Sequence, residues 1–298
     1  MSVEDLPRGC SFSESSDEEI RLVESTKPVV ENLPPEFDAR QKFNYCRDVI
    51  GHVRDQGRCG NCWAVCPTEV LNDRLCIKSS GKIQEILSAG YVTSCCNPAH
   101  GCLHAKGCNG GRLVEAMSFL RDHGVVTGND FKPQDQLREA DGCWPYPFQK
   151  CNHVPTEGTG YPKCKDVVQQ PVPPCRTTCT NKAYKKSLEK DVHRAKSWRK
   201  VLNDAQSIKQ EIFDNGPVFS AFEMYKDFRY YKSGVYVPTT KEVDCLHVIK
   251  IIGWGADSVR EYWLAMNAWN EEWGDHGLIK MAFGKNRLEN GTFHRADM

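Results

Sequence analysis

Gln56-Gly57-Arg58-Cys59-Gly60-Asn61-Cys62-Trp63-Ala64 is the stretch from which the rest of this chain can be read. Two cysteines stand three residues apart, with Gly57 and Gly60 close ahead of them. A tryptophan follows at once, and a glutamine precedes the second cysteine by six residues. A thiol nucleophile needs a lowered pKa, and the start of a helix supplies part of that shift. Glycine lets the backbone come close to a substrate, and a glutamine amide nearby can donate to an oxyanion. A bare C-x-x-C is a redox pair or half a zinc site. Gln56, the glycines and Trp63 make this one read instead as a nucleophile loop, with Cys62 as the nucleophile.

The totals bound the surroundings of that loop. The 298 residues suffice for two ordinary domains or one large one with two lobes. A formal net charge of zero argues against a nucleic-acid or membrane-surface partner chosen by bulk charge. No apolar run approaches the length of a transmembrane helix. Sixteen cysteines point to an oxidising compartment and several disulfides. Met1-Ser2-Val3-Glu4-Asp5 is followed by no apolar segment, so no signal peptide is expected within this chain.

Outward from the loop, residues 1–32 read as a flexible acidic arm, with eight acids against three bases up to Glu31. An ordered domain is expected over 33–298. Trp63, Val65, Val70, Leu71 and Leu75 predict a helix from Cys62. Pro67 either bends it or begins the main helix as its first residue. Leu87 to Gly111, dense in Cys and Gly, reads as a cross-linked loop, and Leu113 to Arg121 as a helix ended by His123-Gly124. Residues 141–181 hold five cysteines and seven prolines without periodicity, so disulfides must order them. Lys182 to Lys200, with eight bases against two acids, reads as a solvated connector rather than a heparin-like patch. Asp204 to Phe213 predicts a helix broken at Asn215-Gly216-Pro217. Strand-like runs follow at 218–222, 234–237, 247–254, 262–267 and 277–283. Helices first and strands second give an α+β class with a helical lobe and a β lobe.

A thiol peptidase needs a base to take and return the thiol proton and a group to orient that base. Cys245-Leu246-His247-Val248 heads one apolar strand, and Asn267-Ala268-Trp269-Asn270 follows another. With Cys62 these give the order Cys, His, Asn. Here the sequence resembles the papain family of cysteine proteases, and within it the cathepsin B-like branch. The resemblance covers roughly residues 33 to 284. It rests on Gln56–Ala64, Gly107–Gly111, the cysteine-rich loop 143–179, Tyr231–Tyr236, Gly253-Trp254-Gly255 and Asn267–Gly274.

The resemblance implies a two-lobed fold with a helical lobe, an antiparallel barrel-like β lobe and the active site in the cleft between them. It makes Cys62 the nucleophile, His247 its acid–base partner, Asn267 the group orienting His247, and Gln56 an oxyanion donor. Trp269 shields the His247–Asn267 contact, and Gly110 and Gly111 pair with substrate backbone. Loop 151–164 lies over the primed side of the cleft. There His153 pairs with Asp55, while Val154 replaces a second histidine that holds a substrate's C-terminal carboxylate. The disulfides implied are Cys46–Cys76, Cys59–Cys108, Cys95–Cys175, Cys96–Cys102, Cys143–Cys179 and Cys151–Cys164. Cys10, Cys66 and Cys245 have no family partner, and Cys10 is expected to be reactive. Arm 1–32 looks like a propeptide remnant.

Several positions depart from the family pattern. Cys245, Leu246 and Val248 are bulkier than the usual residues around the histidine, so Leu246 is expected to narrow the cleft. Cys66 stands where a small residue is usual. Glu289 is the nearest candidate for an acid at the base of the S2 pocket.

The implied activity is peptide-bond hydrolysis, mainly endopeptidase with weak dipeptidyl carboxypeptidase action. The alternatives are a cathepsin B-like fold kept for binding with little turnover, and a zinc-binding domain, for which the cysteines are too many and too scattered. No cofactor or metal is implied. Expected partners are peptide or protein substrates and cystatin-type inhibitors, in a lysosomal or secreted (extracellular or gut-lumen) setting.

Overall fold

The computed structural model describes residues 32–154, 160–289 and 293–297. The chain enters through β1 (Phe37–Asp38), α1 (Ala39–Lys42) and α2 (Arg47–Ile50). Asp38 caps α1, its Oδ1 accepting the Arg40 N–H at 2.9 Å. Then comes α3 (Cys62–Lys78), the axis of the helical lobe, buried from Cys62 through Cys76. It runs as one helix through Pro67, so of the two alternatives expected from that proline the two-part helix does not occur. Burial on every side supplies the packing that outweighs the roughly 3 kcal/mol a mid-helix proline costs. The polar residues that α3 buries reach across to the other lobe. Arg74 meets Glu211 at 2.8 Å and the Pro217 carbonyl at 2.9 Å, and Asp73 meets Lys250 at 3.0 Å.

Around α3 pack α4 (Ala89–Cys95) and α5 (Leu113–Asp122), sharing a core with Trp63, Leu71, Val92, Met117, Phe119 and Trp144. α4 corrects the reading of 87–111 as loop throughout. It is a single short segment whose Ser88 hydroxyl accepts the Tyr91 N–H at 2.9 Å, too brief for periodicity to reveal. α5 ends as expected at His123, with Gly124 at φ +81°.

The second half contributes β2 (Ser197–Val201), α6 (Ala205–Asn215), β3 (Val218–Tyr225), β4 (Val235–Tyr236), β5 (Val243–Ala256), β6 (Glu261–Met266), β7 (Leu278–Ala282) and β8 (Phe293–Asp297). The sheet order is β2-β8-β3-β5-β6-β7-β4, with β1 also on β5. The α+β class holds, but the β lobe is an open sheet rather than an antiparallel barrel. Among the described residues its outer strands β2 and β4 do not pair with each other, and β4 runs parallel to β7. The basic stretch is likewise not all connector, since its last residues form β2 with Trp198 buried.

The sheet separates two cores. Phe219, Ala221 and Val248 join the helical core, while Phe222, Met224, Ile249 and Ile251 join a second core with Trp254, Trp263, Trp269 and Trp273. The period-2 alternation of β3 and β5 produces this division. At the β5 bulge, Gly253 lies so close to β1 that a Cβ would meet the Phe37 carbonyl oxygen at 2.0 Å.

Candidate active site

Cys62 is the first residue of α3, so its N–H has no acceptor four residues back in the helix. The loop before it is held from three sides. The Cys59–Cys108 disulfide and the Gly60 N–H to Cys108 carbonyl bond (2.9 Å) tie it to the 107–111 turn. Asn61 does not cap the helix: its Nδ2 donates to Thr93 Oγ1 at 2.8 Å, and its Oδ1 accepts the Tyr146 hydroxyl at 3.0 Å. Trp63 Nε1 donates to the Gly107 carbonyl at 3.0 Å, and its ring lies against Gly111, where a Cβ would approach to 2.5 Å. Only glycine fits that contact. Gly110, at φ +102°, and Gly111 are both buried.

Gln56 is fully buried. Its backbone N–H donates to the Ala268 carbonyl at 2.9 Å, and its side-chain amide donates to the Cys59 carbonyl at 2.6 Å. The amide therefore sits against the loop that carries Cys62.

His247 lies on β5 with its Nε2 2.9 Å from Asn267 Oδ1. A carboxamide oxygen only accepts, so Nε2 carries the proton and Nδ1 is left as the basic atom. Asn267 follows the end of β6, and its Oδ1 also accepts the Ala268 N–H at 2.9 Å. Trp269 lies 5.3 Å from the imidazole at 30°, and Phe222 stands edge-on at 5.7 Å. His247, Asn267, Trp269 and Cys62 are all fully buried, and among the described residues His247 Nδ1 has no hydrogen-bond partner. This is a closed site. Burial foremost pulls the His247 pKa down to about 4, the Arg229 and His153 charges add to that, and the Asn267 bond opposes it. The two halves of the site meet one turn below the nucleophile, where the Cys66 thiol donates to the Val248 carbonyl at 3.3 Å. Burial pushes the Cys66 thiol well up, with Glu69 and Cys62 reinforcing the effect. Neither Cys62 nor Cys66 is in a disulfide.

Strand alternation puts Leu246 on the same face as Val248, turned towards the helical lobe, and Leu246 is half-buried opposite Glu223. His153 is buried, its Nε2 2.7 Å from Asp55 Oδ1 and its ring parallel to Trp269 at 5.3 Å. Asp55 also accepts from the Gly57 N–H, the Cys151 N–H and Asn270 Nδ2 at 2.8, 3.0 and 2.8 Å. Burial works to raise the Asp55 pKa, but His153 and these donors outweigh it and hold the carboxyl below its usual range. Val154 packs into the second core, and the Gly160 N–H bonds Glu272 Oε1 at 2.9 Å. Residues 155–159 lie outside those described. Glu289 accepts from the Trp263 indole and the Gly284 N–H, both at 2.9 Å, so its carboxylate already has two donors.

All six disulfides implied by the resemblance are present. Cys245 departs from expectation, since it too is disulfide-bonded. The expectation for Cys10 lies outside the described residues. Cys151, His153 and Cys164 have ligand-type atoms within 4.8 Å of one another. Their sulfurs are joined in the disulfide, so they offer no thiolates to a metal. Sequence reasoning missed Asn270, which clamps Asp55 and the Cys151 carbonyl from a positive φ of 56°. Its one local signal is an asparagine placed where the chain must turn left-handed. It also missed the Arg229–Asp244 pair, at 2.7 Å, in which Arg229 is buried and Asp244 half-buried.

A cysteine at a helix start and a His–Asn pair roofed by tryptophan are the groups a thiol peptidase needs. The profile of the papain family cysteine proteases matches residues 33–295, and the chain belongs to that family, in its cathepsin B-like branch. It is 38% identical over 274 residues to a cathepsin B-like cysteine proteinase of Schistosoma japonicum, covering 90% of this chain and 75% of that protein. It is 37% identical over 273 residues to a gut-specific cysteine proteinase of Caenorhabditis elegans, covering 92% and 75%. The solved procathepsin B S9 of Trypanosoma congolense superposes with a TM-score of 0.77 at 25% identity, covering 100% of this chain and 89% of that one.

Proposed function

We propose that this cysteine peptidase hydrolyses peptide bonds through a thioester on Cys62, with His247 as acid and base. The observation that carries the reading is the His247 Nε2–Asn267 Oδ1 bond of 2.9 Å beneath Trp269, on the strand that abuts the helix opened by Cys62. Asn267 fixes the tautomer that leaves Nδ1 to take the thiol proton. The thiolate attacks the scissile carbonyl, and the oxyanion is held by the Cys62 N–H and the Gln56 amide. His247 returns the proton to the leaving amine, then activates the water that cleaves the thioester. Gly110 and Gly111 align extended substrate backbone.

We take 33–298 as one peptidase domain following arm 1–32, acting mainly as an endopeptidase. Dipeptide removal is weak, because His153 is committed to Asp55 and Val154 to the core. Peptides and proteins are the substrates, cystatin-type proteins the fitting inhibitors, and a lysosomal or secreted setting suits the six disulfides. Full burial of His247 favours a second reading, a closed binding protein with little turnover.

A peptidyl epoxide separates the two readings. Labelling of Cys62 that abolishes cleavage of a Phe-Arg or dibasic substrate supports the enzyme. Labelling without any prior turnover supports the binding protein, and no labelling of Cys62 overturns the mechanism. Carboxydipeptidase action is read by comparing a free C-terminal peptide with its amidated twin, and a strong preference for the free acid would contradict the assignment.

A further inference from the structure

Arg229 lies in the 3-10 turn Lys226–Tyr230 that follows β3, and it is 4% exposed. Its Nε and Nη2 donate to Asp244 Oδ2 at 3.0 and 2.7 Å. Asp244 is the second residue of β5 and stands three before His247. The Arg229 guanidinium lies 5.4 Å from the Trp269 ring centroid. That same indole lies 5.3 Å from His247 and 5.3 Å from His153. Phe228, the neighbour of Arg229, packs on Trp269 at 5.7 Å and stands 6.5 Å from the His247 ring.

A buried ion pair is a weak source of stability, because apolar side chains of similar size pack there at no desolvation cost. Its charge calls for another account. We propose that Arg229 and Asp244 form a positioning pair for His247: the pair fixes the entry of β5 and sets a cation against the tryptophan that roofs the histidine, biasing the site to work on the acidic side of neutrality. This rests on reading His247 as the acid–base group.

The groups around His247 make the direction definite. From the turn after β3 comes the cation of Arg229, and from loop 151–164 comes His153, itself bonded to Asp55. From β5 comes Asp244, on the far end of the Arg229 pair. The segment after β6 supplies neutral Asn267 and Trp269. The cations of Arg229 and His153 act on His247 more strongly than their partner anions Asp244 and Asp55, and they disfavour the imidazolium that a thiolate–imidazolium pair requires. The pair gives up its proton at a lower pH, which draws the alkaline limb of activity downwards. Trp269 and the surrounding aromatics exclude water, so one unit charge here moves a titration by on the order of one pH unit.

The test is the pH profile of kcat/KM for wild type, Arg229→Gln, Asp244→Asn and the charge-keeping Arg229→Lys. An NMR titration of His247 in the Cys62→Ala protein accompanies it and needs no turnover. Arg229→Gln should raise the alkaline limb and the His247 midpoint, Asp244→Asn should lower both, and Arg229→Lys should leave them near wild type. Opposite shifts from the two partners of one ion pair are what a merely structural role cannot produce. Should the single variants fold poorly, the apolar double replacement Arg229→Leu/Asp244→Leu removes the nearer cation, and it too should raise both readouts. Shifts in the same direction, or lower rates with unmoved limbs, would overturn the proposal. If turnover is absent throughout while the NMR midpoints move as stated, the charge assignment stands and the catalytic reading fails instead.

Discussion

Replacing His153 with alanine should release segment 151–154 from Asp55, and with it the loop that we propose closes the primed side of the cleft. His153 gives Asp55 one charge-assisted hydrogen bond, at 2.7 Å, worth about 1.5–3 kcal/mol. Its parallel stack on Trp269 adds about 0.5–1.5 kcal/mol. Stranding a buried charge outright costs roughly 3–5 kcal/mol, but Asp55 keeps Gly57, Cys151 and Asn270 as donors, so the sum of about 2–4.5 kcal/mol applies. Even 2 kcal/mol shifts a closed–open equilibrium about 30-fold. Full escape is limited by the Cys151–Cys164 disulfide and the Gly160–Glu272 bond. The assay is kcat/KM on an internally quenched, C-terminally amidated peptide, together with the Ki of a cystatin-type inhibitor. The expected result is a gain of roughly tenfold or more in both, with the fold intact by near-UV circular dichroism. Acid should mimic the mutation. The Asp55 carboxyl is depressed, so its contribution is whole above the ordinary carboxylate range of about 4 and is lost as pH falls through its folded value. Unchanged kinetics in a folded His153→Ala protein would refute the idea that this pair keeps the loop shut.

Cys66 should resist alkylation under conditions that label Cys62 completely. Peptide mapping checks this, and equal labelling would contradict the raised thiol and its bond to Val248. Leu246→Gly should raise kcat/KM for bulky peptides, and identical specificity profiles would mean that Leu246 does not border substrate. Asn267→Ala should lower kcat about 10- to 100-fold with little change in KM, because it removes the group that sets the His247 tautomer; a pure KM effect would argue against that role. The depressed His247 pKa means the unfolded chain binds more protons between about pH 4 and 6.5, so stability should rise with pH across that window. Denaturant titrations at about pH 4.5 and 6.5 should show roughly 2 kcal/mol less pH dependence in His247→Gln than in wild type, and parallel curves would refute it.

The site was legible because its chemistry is local in sequence. Gln56 to Trp63 spells out a nucleophile loop, and His247 and Asn267 stand beside strand patterns that carry them to one place. The long second-half strands were legible for the same reason of period. What escaped was set by partners far along the chain. β1 has two residues and exists because β5 offers Phe37 a partner in Trp254. β2 was masked by its charge, although Trp198 anchors it in the helical core. Pro67 misled because helix propensity is a local quantity, while α3 is stabilised by burial on every side. Asn270 and Arg229 act through contacts at separations of 215 and 15 residues, which no short motif records.

The six described disulfides with both partners assigned lie between Cys46 and Cys179, within the half that carries Cys62. Cys62 and Cys66 are thiols here among twelve oxidised sulfurs, of which Cys59 and Cys108 tie down the loop before Cys62. Ten of the twelve are buried, and only Cys175 and Cys179 are partly exposed. Cys62 is as deeply buried as those ten, so a thiol reductant meets Cys175 and Cys179 before it meets Cys62. Reductive ageing should therefore begin at the Cys95–Cys175 and Cys143–Cys179 bridges, whose inner sulfurs sit in the helical core, before it touches either thiol.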